Sequence, residues 1–154
     1  MIKELEKKLH KEIPLTNFMQ LKVSNYDENE LVTTAPLDVN INDKGTAFGG
    51  SLATICIISG WSLSWLISKE LGFDSNNIVI IKNEHSYKNP VTKDIICYTK
   101  KPSKEQIEIL KEKLQTKKSA SIKIYSKIIE DNKVCVEFEG YYVIKIWVKL
   151  ATKK

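Results

Sequence analysis

From Gly45 to Ser68 the chain runs 24 residues without a charged side chain, and that stretch restricts every architecture the remainder can build. By length it would cross a bilayer, which takes about 20 apolar residues. Its composition points elsewhere. Thr46, Ser51, Thr54, Ser59, Ser62, Ser64 and Ser68 are spread along it with Gly49, Gly50 and Gly60, and its flanks lack the aromatic and lysine arrangement that anchors a span at the interface. A helix apolar on all sides that avoids lipid must be wrapped by its own fold or by a partner subunit. A core helix is therefore expected, and no membrane span.

Whatever wraps this helix comes from a chain of 154 residues, 42% hydrophobic and 28% charged. That suits one compact domain over residues 1–154, with no repeat, low-complexity block or Gly/Ser linker to divide it. Cys56, Cys97 and Cys135 form no C-x-x-C pair, and no signal-peptide pattern precedes them. This argues against a disulfide framework or structural metal and for a reducing cytoplasm. The formal charge of +5 rests on lysine alone, for the sequence contains no arginine. Without the planar guanidinium fork, specific nucleic-acid reading is disfavoured. The lysines between Lys100 and Lys127 read first as a solvated basic face, and second as a surface that steers an anionic partner.

The flanking segments supply the wrapping. Ile2, Leu5 and Leu9 recur at helical spacing among charges, and Pro14 ends that helix; His10 on it reads as a surface residue. Residues 18–26, with Met19, Leu21 and Val23 alternating, and 30–36 read as a hairpin. A polar loop follows Pro36. Ile78 to Tyr87 and Asp94 to Thr99 are strands. Ser103 followed by Gln106 is a capping box opening a surface helix over about 103–116, with Ile107, Leu110 and Leu114 as its apolar positions. The remainder alternates cleanly through Ile122, Ile124 and Ile128, turns at Asp131-Asn132, and returns through Val134, Val136, Phe138, Tyr142, Ile144 and Ile146. The expected fold is α+β, one antiparallel sheet wrapped around one long central helix. Such a sheet leaves an edge open, for which pairing with a second copy is the remedy.

Chemistry is expected where the polar loop meets the central helix, over Asn42-Asp43-Lys44-Gly45-Thr46-Ala47-Phe48-Gly49-Gly50-Ser51. The first backbone N–H groups of a helix lack intrahelical partners and sit at its electropositive end, so they can stabilise an oxygen that becomes negative during acyl transfer. Gly49 and Gly50 remove the side chains that would block a carbonyl from that turn. Close packing against the sheet is the plainer explanation of the same two glycines.

The string NDKGTAFGGSLATI resembles the Asn-x-x-Gly-x-x-His-Gly-Gly signature of hot-dog-fold thioesterases. GTAFGGSL with the later Gly60-Trp61, the strand end Ser86-Tyr87-Lys88-Asn89-Pro90-Val91, and Glu139-Gly140-Tyr141-Tyr142-Val143 are similar to the thioesterase domain known as the YiiD C-terminal family. The resemblance covers nearly the whole chain. It implies a hot-dog fold acting on acyl thioesters of coenzyme A or acyl carrier protein, with no cofactor beyond the pantetheine of the substrate, no metal, and a homodimer or a dimer of dimers.

Carried over residue by residue, the resemblance makes Asn42 the residue that orients the thioester carbonyl or the attacking water, and Gly49 the donor to the oxyanion. Phe48 stands where many relatives have histidine, and with Gly50, Ser51 and Tyr87 it is expected to bind substrate. Ile57, eight residues after Gly49, replaces the helix aspartate of one well-known branch, so a base must come from elsewhere. Glu84 and His85 are the next candidates, since in a dimer a neighbour's strand could face the helix start. Alternation sends them to opposite faces, and the carboxylate of Glu84 is taken as the catalytic one. A non-catalytic acyl-CoA or acyl-carrier binding module of the same fold is the alternative that the missing helix carboxylate motivates.

Overall fold

The computed structural model describes residues 1–74 and 77–147. Helix α1 (Ile2–Glu12) and a single turn α2 (Leu15–Phe18) precede a hairpin of β1 (Lys22–Tyr26) and β2 (Glu30–Ala35). The long helix α3 (Gly49–Glu70) follows, then β3 (Asn77–Tyr87), β4 (Ile95–Lys100), helix α4 (Lys104–Lys117), β5 (Ser119–Glu130) and β6 (Lys133–Lys145). The six strands form one sheet in the order β1-β2-β4-β5-β6-β3, with antiparallel pairing throughout. This is the helix-in-sheet layout of the hot-dog fold.

The sheet curls because its inner positions are apolar and must meet α3. Leu31, Ala35, Ile95, Cys97, Ile122, Ile124, Ile128, Val136, Phe138, Tyr142 and Ile144 are all buried, and α3 packs against β2, β3, β4, β5 and β6. By length and composition alone α3 would cross a membrane; here the sheet covers much of its surface. Its hydroxyls are reconciled with burial inside the helix itself. Ser59, Ser62, Ser64 and Ser68 each donate to the carbonyl four residues earlier, at 2.6–2.8 Å, which removes the penalty of an unpaired buried hydroxyl.

Two contacts fix α3 along its axis. The Tyr142 hydroxyl donates to the Ile57 carbonyl at 2.6 Å, and a Cβ on Gly60 would overlap the Tyr142 phenol. The Trp61 indole N–H donates to the Ile78 carbonyl at 3.0 Å. Gly60 costs about 1 kcal/mol of helix propensity, and the close crossing of Tyr142 is what that glycine permits.

The remaining elements follow their sequence signals closely. Ser103 and Gln106 form the capping box of α4, and Lys118 ends it in the left-handed region. Asp131 and Asn132 both have positive φ, as a two-residue hairpin turn of type I′ requires. Near the N-terminus the structure departs from the expected pattern. Met19 and Leu21 are buried but precede the strand, because Leu15–Phe18 closes a helical turn and Gln20 reverses the chain at φ 55. His10 is half-buried rather than at the surface, its Nε2 2.7 Å from the Leu21 carbonyl. The three cysteines are free and buried.

Candidate active site

The loop before α3 is held from both sides. Asn40, buried, donates through its amide to the Met19 and Pro36 carbonyls at 3.0 and 2.8 Å, and its own carbonyl accepts the Phe48 N–H at 2.7 Å. The Ala47 N–H donates to the Val91 carbonyl at 2.8 Å. Asn42 shapes the turn in between. Its Oδ1 accepts from the Lys44 and Thr46 N–H groups at 2.8 and 3.1 Å, and its Nδ2 donates to Thr46 Oγ1 and the Ala47 carbonyl at 2.7 and 3.4 Å. Gly45 at φ +80 closes this turn. The hydrogen-bonding groups of Asn42 are therefore taken up within the loop that delivers Phe48 to the helix, instead of extending toward a substrate.

Phe48 caps α3 with no side-chain hydrogen bond. Its carbonyl accepts the N–H groups of Ser51 and Leu52 at 2.9 and 3.1 Å. That leaves the N–H groups of Gly49 and Gly50, which have no partner among the described residues. Two adjacent free amides thus open a 22-residue helix, at the end where its dipole is positive. Two exposed rings flank them. Phe48, 56% exposed, folds over Gly50. Tyr87 has Cε1 3.8 Å from where a Cβ on Gly49 would stand, and its hydroxyl lies 3.4 Å from the Gly49 carbonyl. Ser51 is half-buried beside them. In a single protomer the helix start is an open step with two aromatic walls, while a larger cleft of about 700 Å³ lies across the sheet among Tyr98, Lys100, Tyr125 and Lys127.

Of the two strand candidates, the structure turns His85 inward and not Glu84. Ile78 and Ile80 face the core opposite Ile144 and Tyr142, but the register shifts between Ile80 and Lys82. This bulge at Ile81 reverses the alternation. Glu84 is then exposed on the outer face, opposite Glu139, and lines a shallow cleft with Tyr125, Lys127 and Glu137. It does not face the helix start of its own protomer, so the catalytic role expected of it would need this strand to meet the helix start of a second copy. The imidazole of His85 lies against Phe138, with ring centroids 4.8 Å apart, and stacks on Tyr87 at 6.0 Å. Its Nε2 is buried without a hydrogen-bond partner. Burial holds its pKa below the ordinary histidine value, against a smaller opposing effect of the Ala53 carbonyl. Among the described residues no three His, Cys, Asp or Glu side chains converge as a metal site.

The sequence profile described as "Putative thioesterase (yiiD_Cterm)" matches residues 2–146. The chain belongs to this family. Among solved structures, the chain is similar to a "putative thioesterase" from Shewanella oneidensis, at 31% identity over 94% of this chain and 96% of that one, with a TM-score of 0.85. A protein of unknown function from Chlorobaculum tepidum matches at 31% identity, covering 93% of each chain, with a TM-score of 0.89. A "probable thioesterase" from Pseudomonas aeruginosa, 17% identical over 94% of this chain and 95% of that one, shares the fold with a TM-score of 0.78. The family supports a thioester hydrolase, and in this chain the motif glycines occupy the start of α3, where no side chain caps the helix.

Proposed function

We propose that the protein hydrolyses acyl thioesters of coenzyme A or of an acyl carrier protein. The observation that carries this reading is the pair of free N–H groups on Gly49 and Gly50. Directed at one oxygen, they would strengthen as a thioester carbonyl becomes a tetrahedral oxyanion, which is the differential stabilisation that lowers a barrier. Phe48 and Tyr87 offer apolar faces to the acyl or pantetheine portion on either side. Asn42 acts at one remove, by fixing the turn from which the amides start.

A second copy of the chain completes the site in this reading. The β1 edge is screened by α1, whose Glu6 accepts the Val23 N–H at 2.9 Å. The β3 edge has no such cover among the described residues and carries Val79 and Ile81, 47% and 62% exposed. Pairing there satisfies an open edge and brings a partner surface to the helix start. Lys100, Lys104 and Lys127 around the outer cleft are placed to attract the phosphates of coenzyme A or an acidic carrier, which makes KM rise with salt.

The test is hydrolysis of a panel of acyl-CoA chain lengths, aryl thioesters and acylated carrier protein by the purified protein, followed by thiol release. Turnover above the buffer rate is expected for at least one class, and none across the panel would refute the assignment. The half-buried, apolar Ile57 favours one second reading, a module that binds the same ligands without turning them over. Saturable binding with zero hydrolysis would select it.

A further inference from the structure

We infer that His85 is the general base of this site, resting on the hydrolase reading above. Three observations converge on it. The bulge at Ile81 turns His85 to the inner face of β3. Its ring is positioned between Phe138 and Tyr87, and Tyr87 in turn stands over Gly49. Its Nε2 is the one side-chain nitrogen or oxygen, among the described residues, that is buried with no hydrogen-bond partner. Buried polar atoms in folded proteins are nearly always satisfied, and an orphan calls for an occupant. A neutral imidazole nitrogen has a lone pair free to accept a proton from water.

The chemistry balances with water alone. The water oxygen bonds to the thioester carbon while Nε2 takes one of its protons. The carbonyl electrons move onto oxygen, facing the Gly49 and Gly50 amides. Collapse of that intermediate breaks the C–S bond, and the imidazolium returns its proton to the departing thiolate, giving a carboxylic acid and a thiol. The groups facing His85 leave it free to do this. From α3 the Ala53 carbonyl approaches the ring and favours its protonated form, without a hydrogen bond to Nε2, and from β6 the ring meets Phe138; neither neighbour ionises. From its own strand it meets the Tyr87 phenol. Glu84, Glu137 and Glu139 belong to the opposite face, so no carboxylate pairs with the ring and raises its affinity for protons. Burial lowers that affinity, which keeps the accepting form populated at neutral pH.

His85→Gln keeps a polar side chain of similar reach and removes the titrating nitrogen. On the best substrate of the panel, its kcat is expected to fall about 10²–10⁴-fold with KM little changed. The wild-type rate should rise with pH through a midpoint below the ordinary histidine value and then level, and the variant should lose that limb. His85→Phe, which fills the same aromatic niche, should retain the wild-type unfolding midpoint and show the same loss. A wild-type rate in His85→Gln, or an unchanged acid limb, would overturn the inference while leaving the hydrolase assignment standing. A wild-type protein that hydrolyses nothing would overturn both.

Discussion

Gly49→Ala separates the chemistry of the helix start from its packing. Gly49 lies in ordinary helical backbone, outside the positive-φ region that would demand glycine. The nearest atom to an added Cβ is Tyr87 Cε1 at 3.8 Å, an ordinary van der Waals distance, so the methyl group meets no clash. Replacing glycine by alanine in a helix gains up to about 1 kcal/mol. For a chain of this size that is an increase in Tm of about 2–4 °C. The same methyl group occupies the space beside a free amide that a substrate carbonyl must enter. Displacing a reacting group by about 1 Å can cost about 10²-fold in rate. The expected result is a variant as stable as the parent or more so by thermal denaturation, and slower by about two orders of magnitude in a thiol-release assay. Wild-type turnover in a stable Gly49→Ala protein would mean that no carbonyl approaches this turn.

Three further outcomes can be measured. Gly60→Ala should destabilise by about 1–3 kcal/mol in chemical denaturation, since overpacking against Tyr142 and loss of its hydrogen bond outweigh the helix-propensity gain; unchanged stability would contradict the crossing. Ile81→Lys should convert a dimer to a monomer in sedimentation and reduce turnover with it; a dimeric variant would place the subunit contact elsewhere. Glu84→Gln should leave turnover unchanged and stability within about 0.5 kcal/mol of the parent, and a large loss of turnover would restore a role for that carboxylate across a subunit boundary.

The fold was legible wherever one residue type has one physical meaning. Ser103 and Gln106 announce α4, Asp131-Asn132 can only reverse a hairpin, and the uncharged run ending near Ser68 has to lie inside something. The short turn at Leu15–Phe18 was not legible, because Met19, Leu21 and Val23 alternate as a strand would while Gln20 breaks the strand before it starts. The site was half legible. Gly49 and Gly50 emerged from their backbone chemistry, yet strict alternation counted from the inward Ile78 carries Glu84 inward as well. Only the extra residue at Ile81 exchanges Glu84 for His85, and an isoleucine in a β-rich run gives no sign of a bulge. Asn42 is legible as part of the motif string, but the destination of its amide depends on Thr46 and Ala47 folding back over it.

The Tyr142 phenol works as a dowel. Burial raises its pKa above the ordinary tyrosine value, so at neutral pH it keeps the proton that it donates to the Ile57 carbonyl. At 1.5 Å per residue, that grip lies about 12 Å along α3 from Gly49. The helix can neither slide nor rotate under load without shearing this joint. Any ligand of different girth would have to find its room at the exposed rings of Phe48 and Tyr87, while the two amides keep a constant address.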